Sequence, residues 1–188
     1  MNEMVDEFIA DGRDRMDKAV IAAHNEFNTI RTGRASTALL DRIVVDYYGT
    51  KTPIKQLANL SAPEARLLVI SPYDKSAMKE IEHAIMESEL GLNPNNDGNV
   101  IRLSIPELTE ERRHELVKVV KGLAENGRVA VRNIRRHVLH DIEELQKAGE
   151  ISEDDLRRTK DEFQKVTDKH IEKIDEMLKR KESEILEV

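Results

Sequence analysis

The chain has no cysteine and no tryptophan, and aromatic residues make up only 3% of its 188 positions. Without cysteine there are no disulfides, no thiolate metal sites and no thiol nucleophiles, which fits a reducing compartment. So few aromatics suit a β-sandwich poorly, whereas 36% charged residues suit long solvated helices. Also missing is any uninterrupted apolar run near the roughly 18 residues of a membrane span. Three acids fall by Glu7, where a signal or transit peptide would carry none, so a cytoplasmic protein is expected. The 39% of hydrophobic residues is enough for a core, in one large domain or two small ones.

The motifs of catalysis are absent too. No glycine-rich phosphate loop ends in Gly-Lys-Ser/Thr, and no Gly-x-Ser-x-Gly occurs. Carboxylates are scattered at salt-bridge spacings along helix faces, which leaves no localised acid/base pair. His137, His140 and Asp141 have helical spacings that a shared metal could use, but on an exposed helix they read as solvated side chains. His170 lies between Val166 and Ile174 and reads as a core or boundary residue. The expectation is a non-enzyme with no cofactor and no metal.

What is present is a local reversal of charge. The net charge is -7, yet residues 109–140 hold eight basic and four acidic side chains, a local +4, while every other segment is acidic. Between Gly127 and Asp141 stand Arg128, Arg132, Arg135 and Arg136 with no acid among them. At 100° per residue the four fall within an arc of about 100° on one helix face, joined by Lys121 two turns upstream. Such a face can hold a phosphate backbone. On charge alone, a solvated helix face explains the run equally well.

The periodicity predicts three long helices. Val5, Ile9, Gly12, Met16, Ala19, Ala23, Phe27 and Ile30 mark the first, which Thr32-Gly33 is expected to end. Thr109 with Glu110 and Glu111 opens the second, with Leu116, Val120, Leu123, Val131, Ile134, Val138, Ile142 and Leu145 as its apolar face. Asn126-Gly127 could be a turn within it. The apolar directions before and after agree within about 35°, however, which predicts one unbroken helix with Gly127 facing inward. Gly122 faces outward, without explanation. Ser152 starts the third, carried by Leu156, Phe163, Val166, Ile174 and Met177. Helices of about 29, 39 and 35 residues cannot bury their stripes alone, so a three-helix bundle built from both ends of the chain is expected.

Between helices one and two the pattern changes. Residues 42–48 and 66–70 read as strands, residues 54–60 as a connector, Met78 to Leu90 as a short helix, residues 93–98 as a turn and residues 101–105 as a half-exposed strand. The domains are therefore residues 1–33 with 108–188, the bundle, and residues 34–107, an inserted mixed α/β module. Two chain crossings, near Gly33 and Pro106, make a natural hinge.

Ile30-Arg31-Thr32-Gly33-Arg34-Ala35-Ser36, Leu108-Thr109-Glu110-Glu111-Arg112-Arg113 and Val129-Ala130-Val131-Arg132-Asn133-Ile134-Arg135-Arg136 closely resemble segments of the bacterial ribosome recycling factor family. So do Asp46-Tyr47-Tyr48-Gly49-Thr50, Pro53, Gln56-Leu57-Ala58 and Gly91-Leu92-Asn93-Pro94, in order along nearly the whole chain. The resemblance implies an α+β, L-shaped two-domain molecule, a three-helix bundle with an inserted β/α/β domain on a flexible hinge. It implies a monomeric cytoplasmic translation factor that binds post-termination ribosomes and, with elongation factor G and that factor's GTP hydrolysis, splits them into subunits. The arginine face would grip large-subunit ribosomal RNA near the inter-subunit bridge, through Arg132 and Arg135 first, then Arg128 and Arg136, with Lys121. Arg31 and Arg34 would be second-rank contacts at a hinge that includes Thr32, Gly33, Ile105 and Pro106. The resemblance weakens after Arg136, where His137-Val138-Leu139-His140 stand in place of more polar residues. The alternative is a helical adaptor that binds partner proteins, its arginines merely solvated.

Overall fold

In chain order the computed structural model, which describes residues 2–187, contains α1 (Glu3–Asn28), β1 (Val44–Tyr47), β2 (Thr50–Pro53), α2 (Ile54–Leu57), β3 (Ala58–Glu64), β4 (Leu67–Pro72), α3 (Met78–Glu87), β5 (Pro94–Asn96), β6 (Ile101–Ser104), α4 (Glu110–Lys147) and α5 (Glu153–Leu186). The chain divides into two compact units, residues 2–31 with 110–187, and residues 32–109. No helix among the described residues is long and apolar enough to cross a membrane.

In the helical unit α4, of 38 residues, packs against both α1 and α5. It runs unbroken through Asn126-Gly127, as the phase of its apolar positions predicts. Its buried positions, among them Leu116, Val120, Ala124, Val131, Val138 and Ile142, meet Val5, Met16, Ala23 and Phe27 of α1 and Phe163 and Ile174 of α5 in one core. Two glycines let the helices approach. A Cβ at Gly127 would lie 3.3 Å from Ala23 Cβ and 3.2 Å from Ile174 Cδ1. One at Gly12 would lie 2.7 Å from Val138 Cγ2 and 2.8 Å from Phe163 Cζ, closer than real Cβ contacts come. Each helix-interior glycine costs about 1 kcal/mol against alanine, and close packing offsets it here.

The ends of these helices correct two expectations. Helix α1 stops at Asn28, before the anticipated Thr32-Gly33, because Thr29 closes it: its N–H reaches the carbonyls of Glu26 and Phe27, and its hydroxyl donates to Glu26 O at 2.7 Å. The buried stripe of α5 runs Thr159, Phe163, Thr167, His170 and Ile174, while Leu156, Val166 and Met177 are only half-buried. Two of the polar members are satisfied inside the unit. Thr167 donates to Phe163 O at 2.9 Å, and His170 places Nδ1 2.7 Å from Val166 O and Nε2 2.7 Å from Asp17 Oδ1.

The second unit holds a two-stranded β1-β2 hairpin and a four-stranded antiparallel sheet in the order β3-β4-β6-β5. Leu68 and Ile70 of β4, Ile101 and Leu103 of β6, and Met78, Ile81 and Ile85 of α3 close its core. Residues 54–60 are no mere connector, since α2 and the start of β3 occupy them. Likewise Pro94–Asn96 pair with β6 as a strand, which leaves the turn at residues 97–99.

Asp97 builds that turn. Its carboxylate accepts from the N–H groups of Asn99 and Val100, each at 2.9 Å, and from Arg102. Together the Val100 N–H, the Arg102 guanidinium and the Asn99 N–H hold the Asp97 carboxyl far below the usual carboxylate range. The ionised form is thus favoured by folding, so its contribution is complete above about pH 4 and fades as pH falls further. Asp97→Asn should flatten the acid dependence of stability between about pH 4 and 2, followed by urea unfolding across that window; identical slopes in variant and wild type would contradict it.

Candidate nucleic-acid interface

The basic side chains of α4 do not stand alone, because acids on α5 face them. Arg128 is only 19% exposed: its Nε lies 2.8 Å from Asp175 Oδ1 and its Nη1 2.9 Å from Glu125 Oε2. These bonds raise its pKa, Asp175 contributing most. Arg128 therefore acts as a strut between α4 and α5. Arg132 shares Glu125 with it, Nη1 to Oε1 at 3.2 Å, but is 49% exposed. Two guanidiniums thus face two carboxylates, Glu125 and Asp175, and the two arginines hold Glu125 below its ordinary pKa, Arg128 by its hydrogen bond first.

Arg135 is half-buried. Its Nη1 donates to Gln164 Oε1, and Gln164 in turn donates to Asp168 Oδ1 at 2.7 Å. The Arg135 Nε is buried and finds no acceptor among the described residues, a donor whose desolvation is uncompensated within the chain. Arg136 is exposed, and no ion pair is seen for it among the described residues. Two grooves between α4 and α5, of about 550 Å³ and 340 Å³, both run along Arg135, Arg136 and Gln164. Leu139 and His140 line the larger one, with the Glu143–Lys160 ion pair at 2.5 Å. Lys121, 62% exposed, stands 3.7 Å from Glu182. Among the described residues no group of three or more His, Asp or Glu is gathered where it could hold a metal, and that includes His137, His140 and Asp141.

The five predicted contacts thus separate into distinct environments. Arg132, Arg135 and Arg136 keep donors toward solvent or a groove, Lys121 is loosely paired, and Arg128 is bound up in the packing. The missed partners are Gln164, Asp168 and Asp175. A signal existed, since Asp168 and Asp175 are seven residues apart and so share one face of α5, but only the register between the helices shows that this face adjoins the arginines.

The predicted hinge residues lie in the two connecting segments. Within the second unit Gly33 adopts φ +75°, and a Cβ there would come 2.7 Å from Leu108 Cγ, so the segments touch where only glycine fits. Both also bind the β3-β4 turn: Ala35 N donates to Ala65 O at 2.6 Å and Ile105 N to Arg66 O at 2.9 Å. Thr32 is buried, whereas Arg31, Arg34 and Pro106 are exposed.

Known proteins resemble this chain along nearly its whole length. A family model described as Ribosome recycling factor matches residues 23–186. A "Ribosome-recycling factor" of Rubrobacter xylanophilus is 56% identical over 188 residues, all of both chains, and one of a Geobacillus species is 58% identical over 185 residues, 98% of this chain and all of that one. A solved structure described as the solution structure of the ribosome recycling factor aligns with all of both chains at TM-score 0.77 and 46% identity. A second, from models of the T. thermophilus ribosome recycling factor and the E. coli elongation factor G bound to the E. coli post-termination complex, aligns at TM-score 0.65 and 45% identity over 97% of this chain and 98% of that one.

Proposed function

The chain belongs to the ribosome recycling factor family, and on that premise we propose that the exposed arginine face of α4 is the surface by which it holds ribosomal RNA. The protein is a non-enzymatic translation factor: it binds the post-termination ribosome and acts there with elongation factor G, which hydrolyses the GTP, to separate the subunits. Its place of work is the cytoplasm, where those ribosomes are.

One observation carries the RNA reading. In a chain of net charge -7, Arg132, Arg135 and Arg136 line one side of an unbroken 38-residue helix, with Arg132 and Arg136 exposed and Arg135 bordering two grooves. A guanidinium fork matches phosphate geometry, and a helix braced by two neighbours holds the forks in fixed register. Large-subunit RNA near the inter-subunit bridge is the proposed ligand. Arg128 supports this face from behind through Asp175. The segments bearing Arg31, Thr32, Gly33, Arg34, Ile105 and Pro106 are the proposed pivot, so elongation factor G would push on a body already anchored.

Salt dependence tests the anchor. Arg132→Ala should weaken ribosome binding and reduce the slope of log affinity against log salt by about one phosphate contact. An unchanged slope would favour an adaptor whose arginines are only solvated.

A further inference from the structure

Gly122 stands on the outer face of α4, and no contact within the molecule accounts for it. Packing explains Gly12 and Gly127, yet a Cβ at Gly122 would meet no atom within 4 Å beyond the backbone of its own helix turns and its chain neighbours. Its φ lies outside the left-handed region, and the helix continues through it without a break. A glycine there weakens the helix relative to alanine with no compensating contact in this chain. Around it Val119 and Val129, three residues before and seven after, are 46% and 43% exposed, Asn126 one turn on is exposed as well, and the charged Lys118 and Glu125 hold the other neighbouring positions of the helix face. Lys118 and Lys121 border this shelf on one side, and Arg132 follows about 15 Å along the axis. Of the nearby acids, Glu125 is engaged by Arg128 and Arg132 and Glu115 by Arg112, while Glu182 stands 3.7 Å from Lys121.

We propose that Gly122 is a positioning residue for RNA: the ribose-phosphate backbone held by the arginine face passes directly over it, closer to the helix axis than any side chain would permit. The inference rests on the reading of α4 as the RNA anchor. A polyanion is the occupant that a shelf bordered by cations favours, and a glycine lets its backbone approach the helix at van der Waals distance.

Gly122→Ala and Gly122→Gln, measured beside Arg132→Ala for melting temperature and for affinity to purified ribosomes over a salt series, test this. Gly122→Ala should melt about 2–4 °C higher than wild type, because the added methyl has free space and raises helix propensity. It should nonetheless bind ribosomes about 10-fold more weakly, with Gly122→Gln weaker still, as expected when a close contact is forced apart. The salt slope should not change, since no charge is removed. If both Gly122 variants bind as wild type does while Arg132→Ala binds more weakly with a shallower slope, the glycine proposal is wrong and the anchor stands. Weaker binding by Gly122→Ala accompanied by a lower melting temperature would also overturn it. Should Arg132→Ala leave affinity and slope unchanged, the anchor reading itself fails and takes this inference with it.

Discussion

Changing Arg132 and Arg135 together to alanine should lower affinity for post-termination ribosomes about 100-fold at physiological salt while leaving the fold intact. Hydrogen bonds to charged groups contribute roughly 1.5–3 kcal/mol each. The lower end applies here, because Arg132 is already drawn to Glu125 and Arg135 to Gln164, and each bond to phosphate would compete with an existing one. Two contacts of about 1.4 kcal/mol make two decades. Little stability should be lost with Arg132, whose ion pair is half-exposed and so worth little. Removing Arg135 also removes the buried, unpartnered Nε, a group that costs the free protein stability. Sedimentation binding across a salt series, with circular dichroism to verify the fold, measures this. The salt slope should fall by about two contacts; a double variant within threefold of wild type would contradict the assignment.

Gly12→Val should disrupt the helical unit more than any surface change. The Cβ alone would stand 2.7 Å from Val138 Cγ2 and 2.8 Å from Phe163 Cζ, and both neighbours are buried. Valine adds two further methyl groups at the point where α1 meets α4 and α5. Overpacking of this kind costs about 3 kcal/mol, which for a chain of this size lowers the melting temperature by on the order of 10 °C. Calorimetry reads the effect directly, and a variant melting within 2–3 °C of wild type would show that α1 sits less tightly than described. The opposite sign expected at Gly122, where the added methyl meets nothing, separates a packing glycine from one that serves a partner.

The long helices were legible in the sequence because each carries a stripe repeated over many turns, and the phase of α4 on either side of Gly127 sufficed to show one helix in place of two. Gly12 and Gly127 could be assigned to the inner face for the same reason. The short strands were harder. β2, β3 and β5 include Pro53, Pro63 and Pro94 and polar residues, and strands such as β2 and β5, of four and three residues, are specified by their partners more than by their own pattern. The face of α5 was read in part: Phe163, His170 and Ile174 are buried as expected, but Thr159 and Thr167 are buried while Leu156, Val166 and Met177 are half-buried, because Thr167 donates its hydroxyl to Phe163 O and counting apolar residues alone rotates the stripe. At the candidate site the arginines themselves were plain, but their ranking was not. That Arg128 is held by Asp175 while Arg132 stays accessible depends on the register of α4 against α5, which no pattern within either helix encodes.

Light scattering of post-termination ribosomes mixed with this protein, elongation factor G and GTP tests most directly the claim that the arginine face is an anchor and that the work comes from the other factor. With limiting wild-type protein the signal should fall as subunits separate. At the same concentration the Arg132→Ala, Arg135→Ala double variant should split ribosomes slowly, and about 100-fold more of it should restore the wild-type rate, since only binding has been weakened. Splitting by the double variant at the wild-type rate under limiting conditions, or none at saturation, would contradict the account.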